Sequence, residues 1–307
     1  MSKPRSPPRR RVDGVLLLDK PAGITSNAAL QKVRWLFNAA KGGHTGTLDP
    51  MATGLLPLCF GEATKFAGEL LDADKAYRAT LRFGITTDTA DADGHVLETR
   101  PVAVTEEQLR CVMATFVGET DQVPPMYSAL KRDGKPLYEY ARAGIELERV
   151  PRRITIRRLD LCSFAGDEAT IHVDCSKGTY VRTLAADIGV ALGCGAHLTA
   201  LRRTRIGGLE VAGAVTMAEL EASTVGDRDA RLCPVDSLLA DLPTANLNEH
   251  DTERVLHGQG FRWDGLAGQR FRIFGADGYF LGLGEVSADG RLNPRRLVAV
   301  VTEGKEQ

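Results

Sequence analysis

Between Gly42 and Gly61 the chain reads GGHTGTLDPMATGLLPLCFG, with five glycines, two prolines and a single acid, Asp49. Glycine at that density lets the backbone turn sharply and come close to a ligand, so whatever fold forms must hold a tight loop here. Pro50 lacks an N–H and biases Asp49 away from helix, which sets the carboxylate on an extended or turned segment. Two readings of that carboxylate stand on the window alone. It can bond nearby backbone amides in an Asx-turn, or it can be a catalytic group whose pKa and nucleophilicity are tuned by burial and partners.

The chain around this loop is long enough, at 307 residues, for one large domain and a small one. No apolar run approaches the length of a membrane span and the N-terminus lacks a signal peptide's apolar core, which predicts a cytoplasmic protein without a membrane partner. The six cysteines, at 59, 111, 162, 175, 194 and 233, form no CxxC pair, which argues against a disulfide framework and a zinc site. The six histidines are equally dispersed, with no HExxH, so no metal is expected. Net charge is −1, yet positive charge is clustered locally. Arg149 to Arg158 holds five arginines and no acid, Arg202 to Arg205 reads RRTR, and the N-terminus carries Lys3, Arg5, Arg9, Arg10 and Arg11. Any one such cluster is as readily a solvated face; three in one chain favour phosphate contacts.

Residues 1–11, rich in Pro and Arg, are expected to be a disordered basic arm. Gly14 to Asp19 is a short apolar strand, and Ser26 can cap a helix to about Phe37 with Ala29, Val33 and Leu36 on one face. Ala63, Phe66, Ala67 and Leu70 mark a second helix. Tyr77 to Phe83 alternates strictly, the pattern of a half-buried strand. The acidic loop TTDTADADGH fails as a calcium loop because Thr89 and Arg100 stand where carboxylates are required. A capping box at Thr105–Gln108 opens a third helix, and 118–151 is a long connection with only a short helix, Pro136 to Ala143. Strands are expected near Ile154–Ile156 and Glu168–Asp174, the latter with His172 on its polar face. A helix then begins beyond SKGTY, with Arg182 in its first turn, where the helix dipole disfavours a cation; either the side chain bends to water or it faces a carboxylate. A capping box at Thr216–Glu219 and a Pro-spaced linker around Asp241–Asn248 follow. The remainder forms a small β module, with a hairpin at Ala276-Asp277-Gly278 and a strand Leu297 to Val301.

Five segments, GVLLLDKPAGITSN (14–27), GHTGTLDPMATG (43–54), DKAYRATLRFG (74–84), SKGTYVRTLAADIG (176–189) and GCGAHLTALRRT (193–204), occur in the order found in the bacterial tRNA pseudouridine-55 synthases, which this chain resembles from about Gly14 to its end. The resemblance implies an α/β (α+β) pseudouridine synthase fold, a central mixed and largely antiparallel sheet flanked by helices. It implies a catalytic domain over 12–247 with an RNA-clamping insertion at about 118–151, and a PUA-like β barrel over 248–307. The implied reaction breaks the N1–C1′ bond of a uridine in the tRNA T-arm loop, rotates the base and rejoins it through C5. It needs no cofactor and no metal, and nothing in it demands a dimer, so a monomer is expected.

By the same resemblance Asp49 is the nucleophile, at C6 or at C1′, and Arg182 is its counter-charge, which is expected to lower the carboxyl's pKa. Tyr77 stacks on the target base and is placed for proton transfer at C5. Tyr180 and Leu201 line the uracil pocket, His44 fills the space left by the flipped base, Lys20 packs near the tyrosine, and Asp91 joins the network around Arg182. Phosphate contacts are expected from Lys131, Arg132, Lys135 and Arg142 in the insertion and from Arg152, Arg153, Arg202 and Arg203. Two other classes of function compete: a tRNA-binding or tRNA-folding factor acting without chemistry, and a carboxylate-dependent hydrolase. The hydrolase requires a second acid or a metal, and the Asp49 window has no second acid.

Overall fold

The alternation of Lys75–Phe83 reflects its place inside a ten-stranded sheet, where Arg78 and Arg82 are exposed, with half-buried Thr80 between them on that face, and Tyr77, Ala79, Leu81 and Phe83 turn inward. The computed structural model describes residues 8–299. From one edge the strands run Val215–Thr216, Gly14–Lys20, Thr53–Phe60, Ala196–Ile206, Lys75–Phe83, Glu168–Cys175, Arg152–Ala165 and Gly118–Gln122. Two further strands, Gly42–His44 and Leu209–Glu210, pair with Thr53–Phe60 and Ala196–Ile206. All neighbours are antiparallel except Gly14–Lys20 with Val215–Thr216 and Thr53–Phe60 with Ala196–Ile206, so the sheet is mixed and largely antiparallel as expected.

One face of the sheet packs against the helices Ser26–Leu36, Glu106–Ala114 and Val181–Ala191, which bury Ala29, Val33, Leu109, Val181, Leu184 and Ile188 against Leu16, Leu58 and Leu81. The opposite face, from Val15, Leu55 and Ile206, packs on Phe66, Leu70, Leu238 and Leu239. That second core continues into the C-terminal sheet through Leu283 and the Phe66–Phe280 ring contact at 5.6 Å. The C-terminal sheet has five strands and curls into a half-barrel compatible with a PUA-like domain.

Several local expectations are corrected. Thr25, not Ser26, caps the first helix, its side chain accepting from Ala28 N. The helix expected over 63–70 is divided into a 3-10 turn at Gly61–Lys65 and a helical turn at Ala67–Leu71. The strand expected at Ile154–Ile156 runs from Arg152 to Ala165; register shifts at Ile156/Arg158 and Leu161/Ser163 break the two-residue period that would have revealed it. The segment read as a linker contains Thr244–Asn246, a parallel edge strand of the C-terminal sheet. The last strand among the described residues is Arg291–Leu297, directly after the Asp289-Gly290 turn; of the expected strand Leu297–Val301 it holds only Leu297, Val298 and Ala299 being irregular, and Pro294, which masks it, is accommodated beside an irregularity at Leu283/Gly284. Val300 and Val301 lie outside the described residues, as does the expected disorder of 1–7. Arg10, assigned to that arm, is instead docked: it donates to Phe37 O at 2.7 Å and makes two 2.6 Å bonds to Asp229.

The glycine-rich window meets a close strand crossing. Thr53 and Gly54 pair in parallel with Arg202 and Arg203, and a Cβ on Gly54, whose φ is +99°, would stand 2.2 Å from Arg203 O. Only glycine lets these two strands approach so closely.

Candidate active site

The Asp49 loop is an ordered turn secured from three sides. Ala52 N donates to Asp49 O at 3.1 Å, and Gly23 N donates to Pro50 O at 2.8 Å. Ser26, freed from capping and itself buried, accepts from Leu48 N at 2.8 Å and donates to Leu48 O at 3.0 Å. Lys20, fully buried, donates to Pro21 O at 2.8 Å, Ala52 O at 2.7 Å and Pro50 O at 3.3 Å. Burial lowers its pKa to about 8, with nearby Asp49 opposing and Arg203 adding to the shift. Lys20 thus braces the loop through backbone carbonyls.

Arg182 emerges from the first turn of its helix and is 4% exposed, so the bent-to-water alternative does not hold. Its Nε lies 2.9 Å from Asp49 Oδ2 and 3.5 Å from Asp91 Oδ2. Nη1 donates to Thr89 O at 2.9 Å, while Nη2 donates to Tyr127 O at 2.7 Å and more weakly to Asp49 Oδ1 at 3.4 Å. Asp91 is buried and held by the Thr89 hydroxyl and the Asp93 amide. The counter-charge expectation holds, since Arg182 lowers the Asp49 carboxyl's pKa, but its effect is smaller than that of burial. Burial lifts the Asp49 carboxyl above its ordinary value; Arg182 opposes this, Asp91 adds to it, and the net shift is upward.

Asp49, Tyr77, Tyr180, Arg182 and Leu201 converge on one cavity of about 160 Å³. An engineered apolar cavity of about 150 Å³ admits benzene, so this volume suits a single six-membered ring. Asp49 keeps 36% of its side chain open. Tyr77 sits on the inward face of its strand and is 8% exposed; burial raises its phenol and Arg203 opposes. Tyr180 caps the Arg182 helix and is gripped by Gln122, whose side chain accepts from Tyr180 N at 2.8 Å and donates to Tyr180 O at 3.1 Å. His44 is not among the residues lining this cavity; it ends the strand Gly42–His44, paired with Thr53–Phe60, and has a buried Nδ1 that has no partner among the described residues; burial first, then Arg203, lowers its pKa, favouring the neutral ring.

The arginine clusters resolve very differently from their appearance in sequence. Arg203 is 1% exposed and donates to Leu55 O and Gly46 O, so it cannot meet a phosphate. Arg202 makes two bonds to Asp19, at 2.9 and 2.6 Å. Arg153 pairs with Glu119 and Asp121, Arg157 with Asp74, Arg158 with Asp160 and Arg149 with Glu146. The neighbouring strand supplies Glu119 and Asp121, the same strand Asp160, the preceding loop Glu146, and the residue before Lys75–Phe83 supplies Asp74. Arg152, Lys131, Lys135 and Arg142 are exposed, Arg142 over the Tyr138 ring, and exposed Arg132 donates to Glu148 O. Gln122, Ser26 and Arg203 were not singled out for these positions. For Arg203 the signal was present: strand alternation from Leu201 puts residue 203 on the same inward face.

Comparison with known proteins agrees with this architecture. Residues 34–181 match the TruB family pseudouridylate synthase N-terminal domain, 182–240 the tRNA pseudouridylate synthase B C-terminal domain, and 243–298 the pseudouridine synthase II TruB C-terminal domain. The tRNA pseudouridine synthase B of Chromobacterium violaceum is 58% identical over 302 residues, covering 97% of this chain and 98% of that protein. That of Aromatoleum aromaticum is 59% identical over 298 residues, covering 97% and 96%. Among solved structures, a Cbf5-Nop10-Gar1 complex shares the fold with a TM-score of 0.71 at 24% identity, covering 92% of this chain and 84% of that one. An H/ACA RNP bound to a substrate RNA containing 2'-deoxyuridine does so with a TM-score of 0.72 at 22% identity, covering 94% and 86%.

Proposed function

The chain belongs to the TruB family of pseudouridylate synthases and is a tRNA pseudouridine synthase, an isomerase; from that premise we propose that its target is the uridine at position 55 in the T-arm loop, everted into the cavity, with Asp49 as nucleophile. The observation that carries this reading is the Asp49–Arg182 pair at 2.9 Å on the wall of a ring-sized cavity that Tyr77 also lines.

Each group has a task in this reading. Everting the base costs a few kcal/mol, and stacking on the Tyr77 ring returns about 1–3 kcal/mol. Asp49 reacts as the carboxylate, Oδ2 held closely and Oδ1 more weakly by Arg182, and the side chain open to the base. Tyr77 accepts or relays the C5 proton, Tyr180 and Leu201 close on the ring, and the neutral His44 enters the stack the base has left. Lys20 keeps the loop in shape. Atoms are conserved throughout, since the N1–C1′ bond broken is replaced by C5–C1′ and the C5 proton moves to N1 by way of solvent or Tyr77.

Because Gly118–Gln122, expected as part of the insertion, is an edge strand of the large sheet, the insertion starts at about 123; it would close on the T-arm loop through Lys131, Arg132, Lys135 and Arg142, with Arg152 and Arg153 beside it. With Thr244–Asn246 belonging to the C-terminal sheet, the boundary moves from 247 to about 243: the catalytic unit then spans about 12–243, with a PUA-like RNA-binding unit beyond it, the enzyme acting as a monomer in the cytoplasm. No helix among the described residues is long and apolar enough to cross a membrane.

Asp49→Asn and Asp49→Ala test the reading. Tritium release from a stem-loop RNA labelled at C5 should fall by on the order of 10⁴-fold or more, while stem-loop affinity is retained. The fold should survive, because Arg182 keeps Asp91 and two backbone carbonyls as partners. Near-normal turnover by either variant would falsify the assignment, and RNA refolding that persists without turnover would mark a separate, non-chemical activity.

A further inference from the structure

We propose that Arg203 is a positioning residue for this reaction, whose guanidinium ties the Asp49 loop to the Tyr77 hydroxyl so that carboxylate and ring are presented to the base as one unit. The proposal rests on the role given to Tyr77 above.

Three observations converge on it. Arg203 stands directly opposite Tyr77 in the antiparallel pairing of Ala196–Ile206 with Lys75–Phe83, and opposite Gly54 in the parallel pairing with Thr53–Phe60. Its backbone is therefore seated between the strand that carries the phenol and the strand that follows the Asp49 loop. Its Nε donates to Leu55 O at 2.8 Å and Nη2 to Gly46 O at 3.3 Å, two carbonyls that bracket Asp49 in the chain. Paired positions on the same inward face set the Arg203 and Tyr77 side chains beside each other, and the buried positive charge of Arg203 acts on the Tyr77 phenol.

The kind of partner matters as much as the contact. A fully buried guanidinium kept for stability alone is better matched by a carboxylate, or replaced by an apolar side chain. Among the described residues Arg203 has no ion pair; its hydrogen-bond partners are two carbonyls, with Tyr77 directly opposite it across the strands. Its charge is thus not cancelled beside the Tyr77 oxygen, where it favours loss of the phenolic proton and opposes the effect of burial. The same charge acts against protonation of His44.

Fluorine NMR of protein labelled with 3-fluorotyrosine, with the Tyr77 signal identified by its loss in Tyr77→Phe, reads the contact directly. Arg203→Gln should raise the Tyr77 titration midpoint by about one pH unit or more, while Arg203→Lys, which keeps the charge, should stay closer to the parent. In the same Arg203→Gln protein, kcat for tritium release should fall about tenfold or more with KM within about twofold. An unchanged midpoint in folded Arg203→Gln overturns the proposal. A shifted midpoint with unchanged kcat also overturns it, but by removing the role of Tyr77, so the two failures are told apart. If Arg203→Gln does not fold, Tyr77→Phe supplies the reciprocal test. The Arg203 Nε–H resonance in proton–nitrogen spectra must move when the hydroxyl is removed, and a resonance that stays in place overturns the proposal.

Discussion

The middle of the large sheet and its Arg152–Ala165 side both carry many cations, and they treat them in opposite ways. In the middle, Lys20, Lys75 and Arg203 are buried and give their N–H groups to backbone carbonyls: Pro21, Pro50 and Ala52 for Lys20, Leu70, Leu71 and Ala73 for Lys75, Leu55 and Gly46 for Arg203. On the other side, Arg153, Arg157 and Arg158 are exposed and each faces a carboxylate. A cation on carbonyls fixes the course of the chain, and water screens it little. A cation on a surface acid contributes about 0–1 kcal/mol and can change partners. The interior set thus shapes the site, whereas the surface set is free to exchange an acid for a phosphate.

The contrast can be broken most severely at Gly54. Gly54→Ala puts a Cβ 2.2 Å from Arg203 O at a φ of +99°, and a loss of about 3 kcal/mol or more is expected from the forced separation of the strands. Urea denaturation measures it, and a loss below about 1 kcal/mol would mean the strands part easily. Ser26→Ala comes next. It leaves Leu48 N and O without their buried partner, at a cost of about 1–3 kcal/mol. Turnover should fall with stability because the lost bonds adjoin Asp49.

Lys20 gives a smaller effect that depends on pH. Its pKa is about 8 in the folded protein against 10.5 for a free lysine, so between those values the unfolded chain binds the extra proton and stability rises with pH. Lys75, also lowered to about 8, adds to the same rise. The buried thiols of Cys59 and Cys175, raised from 9.0 to about 12, pull the other way above pH 9. The rise should therefore be clearest between pH 8 and 9 and shallower in Lys20→Met, as read from denaturation midpoints; an identical slope would remove Lys20 from the interior set. The smallest effect on stability belongs to Arg153→Ala, within about 0.5 kcal/mol. Its signature lies in RNA binding, where the slope of log affinity against log salt should fall by about 1 if phosphate replaces Glu119 and Asp121.

How much of this was legible depended on whether the partner was a side chain or a backbone. The cation against its own helix dipole at Arg182 could be reconciled with Asp49 from sequence, because both partners are charged and both stand in recognisable motifs. The strict alternation of Lys75–Phe83 likewise revealed the strand that carries Tyr77. Arg203 was misassigned to the surface because its acceptors are the carbonyls of Leu55 and Gly46, and carbonyls look the same at every residue. At Asp49 the opposition of guanidinium and burial is legible but not its balance: motif spacing reveals the neighbouring cation, not the degree of desolvation that makes the net shift upward. The run Arg149–Arg158 misled in the other direction, since its acids come from Asp74, Glu119 and Asp121 on other parts of the chain as well as from Glu146 and Asp160 nearby.

The Nη2 atom of Arg182 donates at 2.7 Å to Tyr127 O, inside the insertion, and at 3.4 Å to the Asp49 carboxylate. The jaw and the tooth therefore hang from one pivot. If the insertion closes on the T-arm loop and Asp49 is the nucleophile, as proposed, a hairpin that seats residue 127 poorly slackens the grip on the reacting oxygen even when its uridine fits the slot, and discrimination among RNAs is then exercised at a distance from the ring, by shape, before any bond is broken.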